Sequence, residues 1–494
     1  MVCRNCGSEM AEASRFCLNC GADLTENAEP ETKKKKGLKT IIIAAAAVVV
    51  IAAIVIGAVT LFGGGRSAKQ NPLYVSVIDG TIYITSDGDN VTKCEDVAYG
   101  VSSVSLWHDA VAYKTRDGEL YIWRKGSAER IASDVEYFFM CADGSAVAYV
   151  KDDKLNIWKG GKTENIAKDI EAQSVEIATD GSAVGYVIRD DDGESTGYIW
   201  KGSRSTELGE GRFPFAISAG GKYIYYQRVS DSGTKYYVQK GMDEDTKVKL
   251  FDSGDGIGGV YFNSDATEVW LTGRGGTYVS ISGGEKTKVC STNAYPVLPK
   301  GVVSSGEFLG VTTFRNMYFE DWDGKAFYLD SKLETSSAAK NADSFQVDES
   351  GKTLFFMKDD SIRKIDGTDP SAESVTIVDE EAYDFAISGD GKTVFYMDED
   401  DELCSVKKNG KAERLGSDVD DIALLGNDTL FFVSDDDLYR VQNGRREKIT
   451  ELKGEPYIVY EGRSGCVTVE TDDDGDVFTY VTFDGKSFKL IAEE

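Results

Sequence analysis

Most of the chain alternates short apolar runs with polar turns. In Ala146–Val150 small and larger apolar side chains alternate, in Leu155–Trp158 apolar residues flank Asn156, and Asp152-Asp153 separates the two runs. Such alternation is typical of strands, and two polar residues between alternating runs indicate a tight hairpin. The pattern therefore predicts many short antiparallel strands beyond residue 72.

One turn-plus-strand segment recurs along the chain. Its copies are ADGSAVAYV (142–150), TDGSAVGYV (179–187), AGGKYIYYQ (219–227), SDATEVWLT (264–272), ESGKTLFFM (349–357), GDGKTVFYM (389–397) and GNDTLFFVS (426–434). The copies start about 40 residues apart, and the one gap of 85 residues is about two periods. A unit of this length holds about four strands. Radial packing of four-stranded sheets buries both of their faces, so the repeats predict an all-β fold, a β-propeller.

The repeated segment resembles the WD40-like repeats of TolB-type propellers. The family signature runs Ser-Pro-Asp-Gly-Lys and continues into an apolar strand, and Ser388–Tyr396 is similar to it. Gly389 stands at the proline position, and in Ser218–Lys222 both the proline and the aspartate are replaced. The resemblance implies a propeller of WD40-like blades over most of residues 74–494.

Counting the units gives ten or eleven four-stranded blades. Single propellers usually have about four to eight blades, so we expect two propellers in tandem, over residues 73–293 and 294–494. The boundary is placed where the rhythm breaks, at Pro296 and Pro299. One oversized propeller is the alternative.

Two cysteine pairs mark the first 24 residues. Cys3-x-x-Cys6 and Cys17-x-x-Cys20 are each followed by glycine, and two such turns can aim four thiolates at one Zn²⁺. Residues 1–24 resemble the short zinc ribbons at the N-terminus of many bacterial membrane proteins. We therefore predict one structural zinc per chain, bound by these four cysteines. A site closed by four protein ligands leaves no open position for catalysis and favours docking of a cytoplasmic protein partner.

An uncharged stretch follows a basic linker. Residues 25–39 are polar and carry five lysines, residues 40–62 are almost entirely apolar, and residues 63–72 form a second linker. About 22 apolar residues are long enough for a helix that crosses the lipid bilayer, and flanking lysines stay on the cytoplasmic side. We therefore expect a single-pass cell-membrane protein with the ribbon in the cytoplasm and residues 73–494 outside it.

Charge and residue content narrow the function further. The formal net charge is −29, which would repel phosphates, so we expect no nucleic acid at the large domain. Gly193–Gly197 matches a Gly-x-Ser-x-Gly elbow, but the only histidine, His108, lies upstream and the motif sits in an acidic turn. We expect no catalytic residues and no enzymatic activity.

Two acidic runs are candidates for calcium. Asp398–Glu402 and Asp472–Asp476 are rich in carboxylates, but neither has EF-hand spacing, and solvated hairpin turns account for both. Paired carboxylates are also the groups of glycan hydrolases, although no pair can be selected from the sequence.

The expected function is that of a membrane-anchored binding, sensor or scaffold protein. Its propeller region would recognise a protein, a peptide or a cell-wall ligand, since propeller faces are broad and lined by loops. The alternatives are a cell-envelope ectoenzyme that hydrolyses glycans with carboxylates, and a purely structural envelope anchor.

Overall fold

The computed structural model describes residues 72–494, with gaps at 232, 253, 255, 303, 368–372, 380, 408–409, 427–428, 443–444 and 463–464. In these residues the chain forms eleven sheets in sequence order, each built on an antiparallel meander, and one short hairpin between the first two strands of the seventh sheet adds to the sixth in parallel. The regular helices among them are two single turns of 3₁₀ helix, Ala172–Ser174 and Ala219–Gly221. The prediction of an all-β propeller with ten or eleven blades is confirmed.

The first five sheets are sheet 1 with β1 (Tyr74–Ile78), β2 (Thr81–Thr85) and β3 (Thr92–Cys94); sheet 2 with β4 (Val97–Val104), β5 (Ala110–Thr115), β6 (Leu120–Arg124) and β7 (Ser127–Ala132); sheet 3 with β8 (Tyr137–Met140), β9 (Ala146–Lys151), β10 (Lys154–Lys159) and β11 (Lys162–Lys168); sheet 4 with β12 (Glu176–Ile177), β13 (Ala183–Arg189), β14 (Ser195–Lys201) and β15 (Arg204–Glu210); and sheet 5 with β16 (Arg212–Ile217), β17 (Tyr223–Ser230), β18 (Gly233–Lys240) and β19 (Asp243–Asp252).

The other six are sheet 6 with β20 (Ile257–Phe262), β21 (Glu268–Gly273), β22 (Gly276–Ile281), β23 (Thr287–Cys290), β25 (Ser304–Ser305) and β26 (Phe308–Leu309); sheet 7 with β24 (Ala294–Pro296), β27 (Met317–Asp321), β28 (Ala326–Leu329) and β29 (Thr335–Ala339); sheet 8 with β30 (Asp343–Val347), β31 (Thr353–Lys358), β32 (Ser361–Asp366) and β33 (Val375–Val378); sheet 9 with β34 (Ala382–Ile387), β35 (Thr393–Asp398), β36 (Leu403–Lys407) and β37 (Glu413–Gly416); sheet 10 with β38 (Val419–Leu425), β39 (Thr429–Ser434), β40 (Asp437–Gln442) and β41 (Arg445–Lys448); and sheet 11 with β42 (Glu455–Gly462), β43 (Cys466–Asp473), β44 (Asp476–Thr482) and β45 (Lys489–Glu493).

The first strand of a complete sheet is its innermost strand. First strands of neighbouring sheets contact one another, as β8 does with β12 and β38 with β42, whereas fourth strands such as β41 are exposed along their length. The first strands therefore line a central channel and the fourth strands lie on the outer rim.

Each junction between consecutive sheets contains one apolar cluster. The tryptophans of the repeated Ile-Trp pairs lie in such clusters: Trp123 packs towards sheet 1, Trp158 towards sheet 2 and Trp200 towards sheet 3. A blade cannot bury both faces alone, so these junctions hold the fold together.

The repeated first turn links each sheet to its neighbour. A polar residue at the end of the first strand accepts hydrogen bonds from the amides that begin the second strand, as Ser388 Oγ does from Lys392 and Thr393. The backbone also connects adjacent first turns, as in Glu349 N–H to the Gly389 carbonyl at 2.8 Å. The glycine of the motif fits between sheets, since a Cβ on Gly181 would lie 2.4 Å from the Ala146 Cβ.

The ring closes on itself once, between sheets 1 and 11. Tyr74 of β1 packs with Val481 and Ile491 of sheet 11, and Lys489 Nζ lies 2.6 Å from Asp89 Oδ1. The expectation of two tandem propellers is therefore wrong. The eleven junctions form one uninterrupted cycle, and the described residues make a single eleven-sheet ring.

The repeat is interrupted at Pro296 and Pro299 by an insertion and not by a domain boundary. The predicted boundary at residues 293 and 294 falls between sheets 6 and 7, which pack through Trp270 and Phe319 with ring centroids 5.2 Å apart. Residues 297–316 are an insertion between the first two strands of sheet 7. Its hairpin, β25 and β26, adds to the inner edge of β20, so it projects into the channel.

The fold class also needs correction for the membrane helix. None of the helices in the described part of the chain is long and apolar enough to cross a membrane. The helix predicted for residues 40–62 lies outside that part. The corrected fold class of the described residues is a single propeller ring without a second propeller and without a membrane-spanning helix.

Candidate functional site: the acidic face of the ring

The two sides of the ring carry different turns. The second turn of each sheet lies beside the link that joins the neighbouring sheets, as the bonds from Asp169 N–H to the Asp153 carbonyl and from Ala342 N–H to the Gly324 carbonyl show. The first and third turns lie on the opposite side. In three-stranded sheet 1 the turn at Asp79-Gly80 is the second turn, since the Gly80 carbonyl likewise accepts a hydrogen bond from Val97 N–H at the start of sheet 2. We call the side with the second turns the acidic face and the other side the opposite face.

The second turns are dominated by carboxylates. They contain twenty acidic residues and three basic ones, Arg116, Arg274 and Lys325. The acidic residues are Asp79, Asp117, Glu119, Asp152, Asp153, Asp190, Asp191, Asp192, Glu194, Asp231, Asp323, Asp359, Asp360, Glu399, Asp400, Asp401, Glu402, Asp435, Asp436 and Asp474.

The opposite face carries charges of both signs. Its first and third turns include Lys125, Lys222, Lys352, Lys392 and Lys486, interspersed with acidic residues. The negative charge of the ring is therefore concentrated on one side. Carboxylates spread over one face produce a field that attracts cations and basic surfaces.

Some of the aspartates on the acidic face are there because they stabilise the turns by accepting backbone hydrogen bonds. Asp398 Oδ1 accepts hydrogen bonds from the Asp400 and Glu402 amides, and Asp472 Oδ1 accepts one from Gly475 N–H at 3.0 Å. Aspartate favours such turns because its side chain replaces a backbone acceptor. The structure places both calcium candidates in these hairpins. Among the residues described, no group of three or more His, Cys, Asp or Glu side chains could hold a metal ion.

Exposed aromatic side chains accompany the carboxylates. Trp322, in the second turn of sheet 7, is 82% exposed, and Tyr383 near the start of β34 is 49% exposed. The Trp322 ring meets Tyr295 edge-on with centroids 5.5 Å apart, and Tyr295 meets Tyr261 at 6.2 Å. A tryptophan exposed at the tip of an acidic turn forgoes the stabilisation that burial would give, and its ring offers a contact surface for a partner.

Bulges expose the tyrosines at the start of the inner strands. The register of β34 against β35 shifts between Ala382 and Asp384, so Tyr383 has no residue opposite it. The same shift between Pro456 and Ile458 leaves Tyr457 unpaired in β42. A bulge turns one extra side chain away from the ladder, so these rings point out of the sheet.

The tyrosine hydroxyls stay protonated and donate to carboxylates. Tyr383 Oη donates to Asp401 Oδ1 at 2.9 Å, and Tyr457 Oη donates to Glu470 Oε2 at 3.1 Å. Burial, the bond to Asp401 and nearby aspartates raise the pKa of Tyr383 to about 12. The aromatic groups therefore add no charge, and the carboxylates alone set the sign of the face.

Two carboxylates face each other inside the channel. Glu307, between β25 and β26, is close enough to Glu176 of β12 for their charges to interact. Burial raises the pKa of Glu307, and burial together with the Glu307 charge raises the pKa of Glu176 further. Both shifts favour the protonated forms, so this pair adds little negative charge to the channel wall.

The Gly-x-Ser-x-Gly match and the histidine lie on different sides of the ring. Gly193–Gly197 covers the second turn of sheet 4 and the start of β14, in a hairpin where a nucleophile elbow requires a strand-to-helix turn. His108 lies in the first turn of sheet 2, is buried, and burial lowers its pKa to about 2. Ser195 of this match and His108 therefore do not form a catalytic pair.

The sequence identified Asp398–Glu402 and Asp472–Asp476 as two separate acidic runs. It did not indicate that their sheets share one face, nor that Trp322 and Tyr383 lie there. The signal that could have shown the face is the position of each acidic turn within its repeat. The predicted zinc ligands Cys3, Cys6, Cys17 and Cys20 lie outside the described residues.

Comparison with known proteins identifies the N-terminal domain. Residues 2–24 match the family model of the zinc-ribbon domain, so the chain begins with a zinc ribbon as predicted. This agrees with zinc binding at the four cysteines. The comparisons support neither a TolB-like type for the propeller nor a bacterial origin. No curated protein matches the sequence at a significant level.

Several solved structures are similar over most of the chain. A eukaryotic initiation factor is 11% identical over 70% of this chain and 86% of its own, with a TM-score of 0.36. The tricorn protease is 10% identical over 86% of this chain and 62% of its own, with a TM-score of 0.23. PorZ of Porphyromonas gingivalis, a surface component of the type-IX secretion system, is 10% identical over 89% and 60%, with a TM-score of 0.25.

The chain spans about three fifths of the length of the tricorn protease and of PorZ. At TM-scores of 0.23 to 0.36, none of the three proteins supports an inference about this chain. What the chain shows is a zinc ribbon joined to a propeller ring, an arrangement that suits a protein-interaction scaffold.

Proposed function

We propose that this protein is a binding scaffold whose ring recognises a basic segment of a partner protein at the acidic face. The observation that carries the proposal is the excess of acidic over basic residues in the second turns, which is much larger than the excess in the first and third turns of the opposite face. Complementary charge steers association and selects partners by sign. An anionic polymer would be repelled by the same face.

The aromatic side chains support a protein partner over a free cation. Aromatic residues are enriched in the centres of protein interfaces, where they supply apolar contact area and cation–π contacts. Trp322 is largely exposed and its ring stands on Tyr295, so it can cover an arginine or lysine side chain of the partner while Asp321 and Asp323 lie beside it in sequence.

The recess between sheets 10 and 11 offers a second contact point on the same face. Asp435, Asp436 and Glu455 line it, and Lys448, which also lines it, is paired with Asp437 at 2.5 Å. Carboxylates around an indentation hold a basic side chain at closer range than a flat surface does, because several charges approach it at once.

The zinc ribbon would serve a second partner. Its four cysteines would complete the coordination of one zinc and leave no open position for catalysis, so we propose that the domain docks a cytoplasmic protein. With the ring outside the cytoplasm and the ribbon inside, the protein would connect partners across the lipid bilayer of the cell membrane. Protease treatment of intact cells tests this placement, which predicts digestion of the ring and survival of the ribbon. The reverse pattern would contradict it.

A charge-neutralising pair of variants tests the acidic face. The probe is a labelled decalysine peptide, with decaglutamate as the negative control, against the full chain. Asp191→Asn with Asp400→Asn removes two exposed charges from the acidic face without removing a turn-capping aspartate. The control, Glu285→Gln with Glu334→Gln, removes the same charge from exposed positions of the opposite face.

We expect the first variant to weaken decalysine binding about 3- to 10-fold, and the control to change it by less than about twofold, since exposed ion pairs contribute about 0.2–1 kcal/mol each. Rising salt should weaken binding further. Equal losses in both variants would refute a face-specific site. Hydrolysis of a glycan that a single carboxylate substitution abolishes would contradict the proposal that the protein binds without catalysis.

A further inference from the structure

The first turn of sheet 7 differs from those of the sheets before it. In sheets 2 to 5 the first turn has five residues, and a backbone hydrogen bond connects it to the next sheet. In sheet 7 the insertion 297–316 takes the place of this turn. The Val311 carbonyl accepts a bond from Ser264 N–H of sheet 6 at 2.9 Å, and Lys300 N–H donates to the Val347 carbonyl of sheet 8 at 2.8 Å. The insertion therefore keeps the connection between its neighbours but encloses more space than a short turn.

A recess of about 70 Å³ lies between the insertion and the first turn of sheet 8. Its wall is apolar and is formed by Val297, Pro299, Val302, Val311, Met317 and Val347. All of these except Pro299 and Val302 are buried. Thr312, Asn316 and Ser350 also line the recess and are exposed, so they form its mouth. Because first turns lie on the opposite face, the recess opens there and not on the acidic face.

One side of the recess carries a positive charge. Arg315, near the end of the insertion, lines the recess and has a side chain that is 37% exposed. Among the described residues its one ion pair joins Nη1 to Glu268 Oε1 of sheet 6 at 3.5 Å. That carboxylate has closer donors, the Phe314 N–H at 2.7 Å and the Thr313 hydroxyl at 2.9 Å. A guanidinium carries five N–H donors, so Arg315 has the capacity to bind a second carboxylate.

The other side of the recess carries a negative charge. Glu349, in the first turn of sheet 8, lines the recess and is exposed. Partial burial, and then the charges of Asp390 and Asp348, raise the pKa of its carboxyl. A cation at this position would stabilise the ionised carboxylate. In the described part of the chain no ion pair joins Glu349 to Arg315, so the two opposite charges remain separate across the recess.

We propose that this recess binds a free aliphatic amino acid. Its carboxylate pairs with Arg315, its ammonium pairs with Glu349, and its side chain contacts the apolar wall. A ligand with a single charge leaves one side of the recess unpaired, so the site favours a small zwitterion.

The size of the recess limits the side chain. A volume of about 70 Å³ holds about five groups of the size of a water molecule, at roughly 10–15 Å³ each. That is enough for the aliphatic carbons of valine, whose charged groups stay at the mouth, and too little for the indole of tryptophan. The site shares no residue with the acidic face and does not depend on it.

Isothermal titration calorimetry of the full chain with L-valine tests the proposal. Three compounds serve as controls: isobutylamine lacks the carboxylate, isovalerate lacks the ammonium, and L-tryptophan has both charges on a larger side chain. We expect saturable binding of valine and at least about tenfold weaker binding of each control, because each lost charge leaves one side of the recess without its partner.

Two variants test the two charged sides separately. Glu349→Gln and Arg315→Gln should each weaken valine binding at least about tenfold. The matched control is Glu334→Gln, an exposed position in the third turn of sheet 7 on the same face, which should change valine binding less than about twofold. Arg315 also contacts Glu268, so circular dichroism checks that its variant folds. Should it not fold, Glu349→Gln decides, since that side chain is exposed.

Three results would overturn the proposal. The first is the absence of saturable heat with valine up to about 10 mM. The second is equal affinity for valine and isovalerate, which would show that the ammonium is not recognised. The third is unchanged valine binding in Glu349→Gln. Decalysine binding at the acidic face involves none of these residues, so a negative result here leaves the proposed function standing.

Discussion

Ring closure makes the last sheet essential to the stability of the first ones. Ile491 of β45 is 2% exposed and packs against Tyr74 of sheet 1. Ile491→Ala removes three carbons, which amounts to about 2.4 kcal/mol of transfer free energy, and the cavity left behind raises the loss of unfolding free energy to about 3–4 kcal/mol. Leu490→Ala at the neighbouring position, 48% exposed, should cost under about 1 kcal/mol.

The assay is urea unfolding followed by tryptophan fluorescence and by circular dichroism. All six tryptophans lie between Trp107 and Trp322, in sheets 2 to 7, far along the chain from the substitution. In one closed ring, Ile491→Ala should move the fluorescence midpoint to lower urea by somewhat under 1 M, with m of roughly 4 kcal/mol per M for a chain of this size. A fluorescence transition that stays in place while circular dichroism shifts would refute a single cooperative ring.

Three further outcomes are expected. Gly181→Ala should destabilise the ring by about 2–4 kcal/mol in urea unfolding, because φ is +63° and the new Cβ would meet Ala146. Gly193→Ala, with φ +84° and open space around it, should cost about 1 kcal/mol. Equal losses would refute the inter-sheet role of the first turn. Burial and the Asp420 charge raise the pKa of Asp421 to about 6, so the folded state favours the protonated form. Stability should therefore fall as the pH rises from about 4 to 6, and Asp421→Asn should flatten that dependence in thermal melts; an unchanged profile would contradict it. Metal analysis of the full chain should give one zinc, lost in Cys17→Ser; a zinc content unaffected by that substitution would argue against the ribbon site.

The sequence predicted the blades well because each blade is a local unit. Turn residues and period-two strands lie within about 40 residues of each other, so the repeat exposes them, and ten or eleven units were expected. The closure was not predicted. It depends on how the small rotation at each junction adds up around the ring, and on contacts such as Tyr74 with Ile491 between opposite ends of the ring chain. The usual size of propellers favoured two rings.

The sequence predicts a domain boundary at the prolines near residue 296 for a related reason. A loss of rhythm looks the same whether a domain ends or an insertion interrupts a sheet. The insertion at 297–316 returns to sheet 6 through a pairing of Phe262 with Phe308, which no local pattern announces.

The composition shows that the chain is acidic, but it does not show that the acidic residues gather on one face of the ring. A net charge of −29 is equally compatible with a uniformly solvated surface. Successive turns of a meander lie at opposite ends of its sheet. This places second turns such as Asp152-Asp153 on one face and third turns such as Lys125-Gly126 on the other. The exposed position of Trp322 and the bulge at Tyr383 also require the folded chain.

Covalent capture of the closing contact tests the single ring most directly. Lys489 Nζ and Asp89 Oδ1 are 2.6 Å apart, so a zero-length carbodiimide reagent should join them within one molecule. Mass spectrometry of the digested monomer should recover this cross-link together with the one between Lys448 and Asp437 of sheet 10, and Asp89→Asn should remove only the first. Recovery of the sheet 10 cross-link without the one between Lys489 and Asp89 would contradict the closed ring of eleven sheets.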